Sequence, residues 1–116
     1  MGQEVFFQPD QFIVSKTDKR GLIQYVNQSF MDVSGFVEEE LIGKPHSVIR
    51  NEMMPRCIFQ YFWDTIQAGK EVFAYVVNRC KNGDFYWVLA YVTPDLDPQT
   101  GEVVGYHSVR RFPSPE

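Results

Sequence analysis

Two histidines, two cysteines and fifteen carboxylates are the groups with which this chain could do chemistry, and their spacing limits what they can do. His46 and His107 lie far apart, and neither has a second metal-binding residue at coordination spacing. His46 follows Pro45 in a stretch bracketed by Pro45 and Pro55. One chemical use is open to it alone, as an axial ligand to haem iron. The competing use is to pack against or cap its own loop. Cys57 and Cys80 form no Cys-x-x-Cys pair and read as free thiols, with Cys57 a buried or half-buried, inert one. Glu38-Glu39-Glu40 suits the positive start of a helix better than an acid–base pair. Asp18, Asp95 and Asp97 sit in turn-like contexts, where local hydrogen bonding explains an aspartate. No nucleophile elbow, phosphate loop or dinucleotide fingerprint is present. The expectation is a protein that binds or senses and is not an enzyme.

Composition narrows the class. At 116 residues the chain has room for one ordinary domain. An aromatic share of 16% supplies large core side chains, which could equally line a slot for a flat ligand. The net charge is −4 and no basic stripe stands out, since Arg110-Arg111 is too short to be one, so nucleic acid is not an expected partner. The apolar run Val72-Phe73-Ala74-Tyr75-Val76-Val77 is far too short to span a bilayer. A cytoplasmic domain is expected, with any membrane attachment of a larger receptor lying outside these residues.

The elements that must position these groups follow from local pattern. Residues 1–11 read as an N-terminal cap or linker, with a short helix packing on a sheet. Phe12–Thr17 and Leu22–Val26 read as strands joined through Asp18-Lys19-Arg20-Gly21. Asn27 is suited to cap a short helix that Ser34-Gly35 ends. Glu38 opens a second short helix, and residues 46–54 read as loop or one helical turn. From Pro55 to Ala68, Ile58, Phe59, Phe62, Trp63 and Ile66 recur at helical spacing. Val72–Arg79 and Phe85–Thr93 flank Asn82-Gly83, the strongest short-range hairpin signal. Asp95–Gly101 reads as a polar loop, and Val103–Val109 as the last strand. Two strands, several helices and three strands give an α+β domain over 12–111, with an antiparallel sheet covered on one face and an exit linker at 112–116. The space between helices and sheet is the expected ligand cavity.

Several segments in combination resemble the PAS family. They are Ile23-Gln24-Tyr25-Val26-Asn27, Ser34-Gly35-Phe36, Glu39-Glu40-Leu41-Ile42-Gly43-Lys44-Pro45, Lys81-Asn82-Gly83 with Tyr86-Trp87-Val88, and Gly105-Tyr106 with Ser108-Val109-Arg110. The resemblance implies a five-stranded antiparallel sheet with short helices and one longer helix on one face. Pro45-His46, Val48-Ile49-Arg50 and Asn78-Arg79-Cys80-Lys81-Asn82-Gly83-Asp84 are similar to the PAS domains of aerotaxis-type, methyl-accepting chemoreceptors. That group implies non-covalent FAD, redox or oxygen sensing, and a signal passed to a downstream domain of the same receptor. Arg50, Asn51, Phe73, Asn78 and Trp87 are then the expected cofactor-binding residues. Where the group typically reads His-Pro-Asp-Met-Pro after the arginine, this chain reads Asn51-Glu52-Met53-Met54-Pro55. The alternative reading is a cofactor-free module that takes a small metabolite or mediates homodimerisation, with Phe6-Phe7 as the dimer contact.

Overall fold

Asn27 shows how local chemistry starts the architecture. The computed structural model describes residues 2–50, 54 and 56–113. Strands β1 (Ile13–Asp18) and β2 (Ile23–Val26) form the first hairpin, and α1 (Gln28–Ser34) follows at once. Asn27 Oδ1 accepts from the backbone N–H of Phe30 at 3.0 Å and of Val14 at 3.1 Å, while its Nδ2 donates to the Phe12 carbonyl at 2.9 Å. One side chain therefore caps the helix and ties it to the neighbouring strand. Gly35 closes α1 with φ 79° and an N–H donated to the Met31 carbonyl, the left-handed ending that a glycine adopts without steric cost.

Helix α2 (Glu38–Leu41), a 3-10 turn (His46–Ile49) and α3 (Arg56–Gln67) come next, then β3 (Val72–Arg79), β4 (Phe85–Leu96) and β5 (Val103–Arg111). The five strands form one antiparallel sheet in the order β2-β1-β5-β4-β3. Its inner face carries Ile13, Val76, Tyr86, Val88 and Ala90, which pack with Phe30, Leu41 and Ile49 into the main core. A second cluster, Ile66, Val72 and Tyr106, holds α3 against the sheet with Phe62 and Trp63.

The α+β expectation holds, with a five-stranded sheet and its helices on one side. Four local readings change. Strand β4 runs on through Pro94 and Asp95 to Leu96, where a loop was expected. Strand β3 begins with Val72 opposite Val92, so beyond Val92 β4 has a strand neighbour on one side only, a position that tolerates proline. β5 likewise runs two residues past Val109, to Arg111. Among the described residues 2–11 there is no helix; Glu4 bridges Phe85 in parallel, and Pro9-Asp10 form a turn. Cys57 is exposed on α3, neither buried nor half-buried, because it falls on the solvent side of the helix.

Candidate functional site

The site begins with backbone pairing along the free edge of β2. The Gly43 N–H donates to the Ile23 carbonyl at 2.7 Å, Ile23 donates to the Lys44 carbonyl at 2.8 Å, and His46 donates to the Gly21 carbonyl at 3.1 Å. These bonds hold Pro45 and His46 against the first hairpin and aim the 3-10 turn across the inner face. Beyond the turn, Arg50 forms an antiparallel bridge with Asn78 of β3. A cavity of about 280 Å³ remains between turn, α3 and sheet, just below the roughly 300–1,000 Å³ typical of small-molecule sites.

The cavity has two kinds of wall. Val76, Ala90 and Val92 of the sheet lie on one side and Phe62, Trp63 and Ile66 of α3 on the other, which makes an apolar slot. The polar part comes from Ser15, Ser108 and Arg110 of adjacent strands, with His46, Arg50 and Asn78. Arg110 Nη2 donates to Ser15 Oγ at 2.8 Å and Nη1 to Ser108 Oγ at 2.8 Å. His46 Nε2 lies 3.2 Å from Arg110 Nη1 and 3.0 Å from Ser15 Oγ. A guanidinium can only donate, so this nitrogen accepts, and the imidazole is neutral with its proton on Nδ1. Burial, and then the Arg110 charge, lowers the His46 pKa to about 3. Burial lowers Arg110 to about 10, which leaves it cationic at neutral pH.

That geometry decides between the two uses of His46, against haem. The Nε2 lone pair that would bind iron is committed to Arg110 and Ser15, and a fixed cation beside it opposes a second one. His46 packs and caps instead, edge-on to the Phe30 ring with centroids 6.3 Å apart.

The expected cofactor residues divide. Arg50 and Asn78 line the cavity and are brought together by the bridge between them. Asn51 lies outside the described residues. Phe73 and Trp87 do not face the cavity: Phe73 is 61% exposed on the outer face of the sheet, where its ring meets that of Tyr91, and Trp87 stands opposite Val77 on that same face. The cause is the two-residue period of a strand. In β3, Val72, Val76 and Asn78 turn inward, so Phe73 must turn outward. Tyr86 and Val88 do the same to Trp87.

Sequence reasoning missed Trp63, Phe62, Ser15, Ser108 and Arg110. The aromatics of α3 were visible as an apolar helix face, and the slot is what that face covers. Ser108 and Arg110 were visible as polar residues at alternate positions of the last strand, an unusual inward pair. Among the described residues two buried side-chain polar atoms have no hydrogen-bond partner, Arg110 Nε and the Tyr86 hydroxyl. Burial raises the Tyr86 pKa above its ordinary range, so the hydroxyl keeps its proton.

Comparisons with known proteins agree with this architecture. A family model described as the PAS fold matches residues 23–110, and the chain belongs to that family. It is similar to the aerotaxis receptor of Escherichia coli (strain K12), with 39% identity over 101 residues that make up 87% of this chain and 20% of the receptor. It is similar also to the nitrogen fixation regulatory protein of Klebsiella pneumoniae, with 30% identity over 98 residues, 84% of this chain and 20% of that protein. The chain thus spans about one fifth of the length of both relatives. A solved light-oxygen-voltage domain, described with a flavin analogue, superposes with a TM-score of 0.81 at 19% identity, over 90% of this chain and 79% of that one. This is a sensory domain of the type found in signal-transduction proteins.

Proposed function

We propose that this domain holds FAD non-covalently and reports redox or oxygen state to a downstream signalling domain of the same chemotaxis receptor, acting as a cytoplasmic, non-catalytic module. The observation that carries the reading is the slot between Val76, Ala90 and Val92 on one side and Phe62, Trp63 and Ile66 on the other, with donors along its polar wall. Its volume suits a flat ring system; the rest of a dinucleotide has to extend through the open side. The unpartnered Arg110 Nε is a buried donor that such a ring could satisfy. The likeness to the aerotaxis receptor at 39% identity and to a domain described with a flavin analogue supports the choice of ligand.

A bound flavin would supply reversible electron exchange with a change in ring charge and hydrogen bonding. The chain's own residues have simpler tasks. Trp63 and Phe62 offer apolar faces to the ring. Asn78, 5% exposed, offers a buried amide that can donate and accept, and Arg50 adds positive charge at the cavity rim. Exposed Phe12, Phe73 and Tyr75 on the outer sheet face support an accompanying role in homodimerisation.

The visible absorption spectrum of the purified protein tests the reading. A flavin spectrum, with FAD released on denaturation, is expected. A colourless protein that takes up no FAD on reconstitution refutes it and leaves the cofactor-free alternative.

A further inference from the structure

Arg110 is 3% exposed, yet among the described residues it is held only by neutral groups. These are the two serine hydroxyls, the neutral His46 ring and the Phe30 ring, whose centroid lies 5.0 Å from the guanidinium carbon. Its Nε has no hydrogen-bond partner among the described residues. Among the described residues no carboxylate pairs with it, and none lines the cavity. A buried charge is costly unless an opposite charge or a full set of hydrogen bonds offsets it. In a chain with a net charge of −4, none of the described residues offsets this cation on the wall of the cavity.

We propose that Arg110 sets the charge of what the cavity holds: the ligand edge that meets the Ser15, Ser108 and Arg110 wall carries negative charge. Resting on the flavin reading above, this means that the reduced ring is held as its anion. The balance is two electrons from a dithiol or dithionite reductant and one proton from solvent, which leaves one net negative charge on the ring beside Arg110. The titratable neighbours do not supply that charge. His46 of the 3-10 turn is neutral, Arg50 is a second cation, and Tyr86 of β4 and Tyr106 of β5 keep their protons, the latter raised by burial. The cavity residues from β1, β3 and α3 do not titrate.

The test uses the whole chain reconstituted with FAD, as wild type, Arg110→Gln and Arg110→Lys. Dissociation constants are measured for oxidised FAD and, anaerobically, for dithionite-reduced FAD. Arg110→Gln should lose at least tenfold more affinity for the reduced form than for the oxidised form, equal to a fall of about 30 mV in the two-electron potential. Arg110→Lys should keep most of the preference. If Arg110→Gln does not fold, the wild type alone decides. Its potential should fall by about 30 mV per pH unit between pH 5.5 and 6.5, the slope for one proton per two electrons. A slope of about 59 mV, or FAD bound with an unchanged preference in Arg110→Gln, overturns this inference and leaves the flavin reading intact. A wild type that takes up no FAD overturns both.

Discussion

His46 stands where two donors converge on one nitrogen, and this gives the fold a dependence on pH. Its pKa is about 3 in the folded chain, against about 6.5 when unfolded. Between those values the unfolded chain binds the extra proton, so stability is full above pH 6.5 and declines as pH falls, by up to about 1.4 kcal/mol per unit from this residue. Urea unfolding at pH 7 and pH 5 should show a smaller difference for His46→Gln than for wild type; equal differences refute the assignment. At this scale the sequence was only partly legible. Arg50 and Asn78 line the cavity, but Phe73 does not join them: it stands five positions from Asn78, an odd offset that places the two on opposite faces of a strand. In the sequence Arg110 reads as half of a short basic pair. A buried arginine and an exposed one are the same letter, and only the inward register of β5, with Ser108 and Arg110 on the side of Ser15, separates Arg110 from Arg111.

At the level of elements, strand β5 carries the strictest demand. It lies between β1 and β4, and Gly105 sits opposite Asp18 on one side and Asp95 on the other. A β-carbon added at Gly105 would collide with the Thr17 carbonyl oxygen, which is backbone and cannot swing away. Gly105→Ala should therefore cost about 1–3 kcal/mol, whereas the exposed neighbour Val104→Ala should stay within about 0.5 kcal/mol. Paired urea denaturation curves check this, and equal midpoints for the two variants would contradict it. Elements were the most legible level. The bounds of β3 follow its branched and aromatic run, and Asn82-Gly83 turns the chain with Gly83 at φ 94°. The end of β4 was not legible, because Pro94 and Asp95 are poor strand formers and only pairing with β5 keeps them extended.

For the whole molecule, the notable feature is where the segment around Phe7 meets Phe112 beside the start of β4. Val5 donates to the Phe85 carbonyl at 2.7 Å and Phe85 to the Gln3 carbonyl at 3.1 Å, so the N-terminal segment pairs beside the start of β4. Phe7 is 8% exposed, with its ring edge-on to Tyr86 at 6.4 Å and to Phe112 at 5.3 Å. The sequence suggested a dimer contact for Phe6-Phe7, but only Phe6 remains exposed; an adjacent pair in extended chain points to opposite sides, and nothing in the letters says which side is covered. Phe7→Ala should cost about 3 kcal/mol and Phe6→Ala far less, read from thermal unfolding of the isolated domain. Equal losses would mean that Phe7 is not part of the core. Since Phe7 and Phe112 lie side by side, tension applied through the flanking chain would be carried across one corner of the domain. The load path would run through the Gln3–Phe85 pairing and the Phe7–Phe112 contact, peeling that corner first. The far side of the sheet, with β2 and the His46 turn, would stay unloaded.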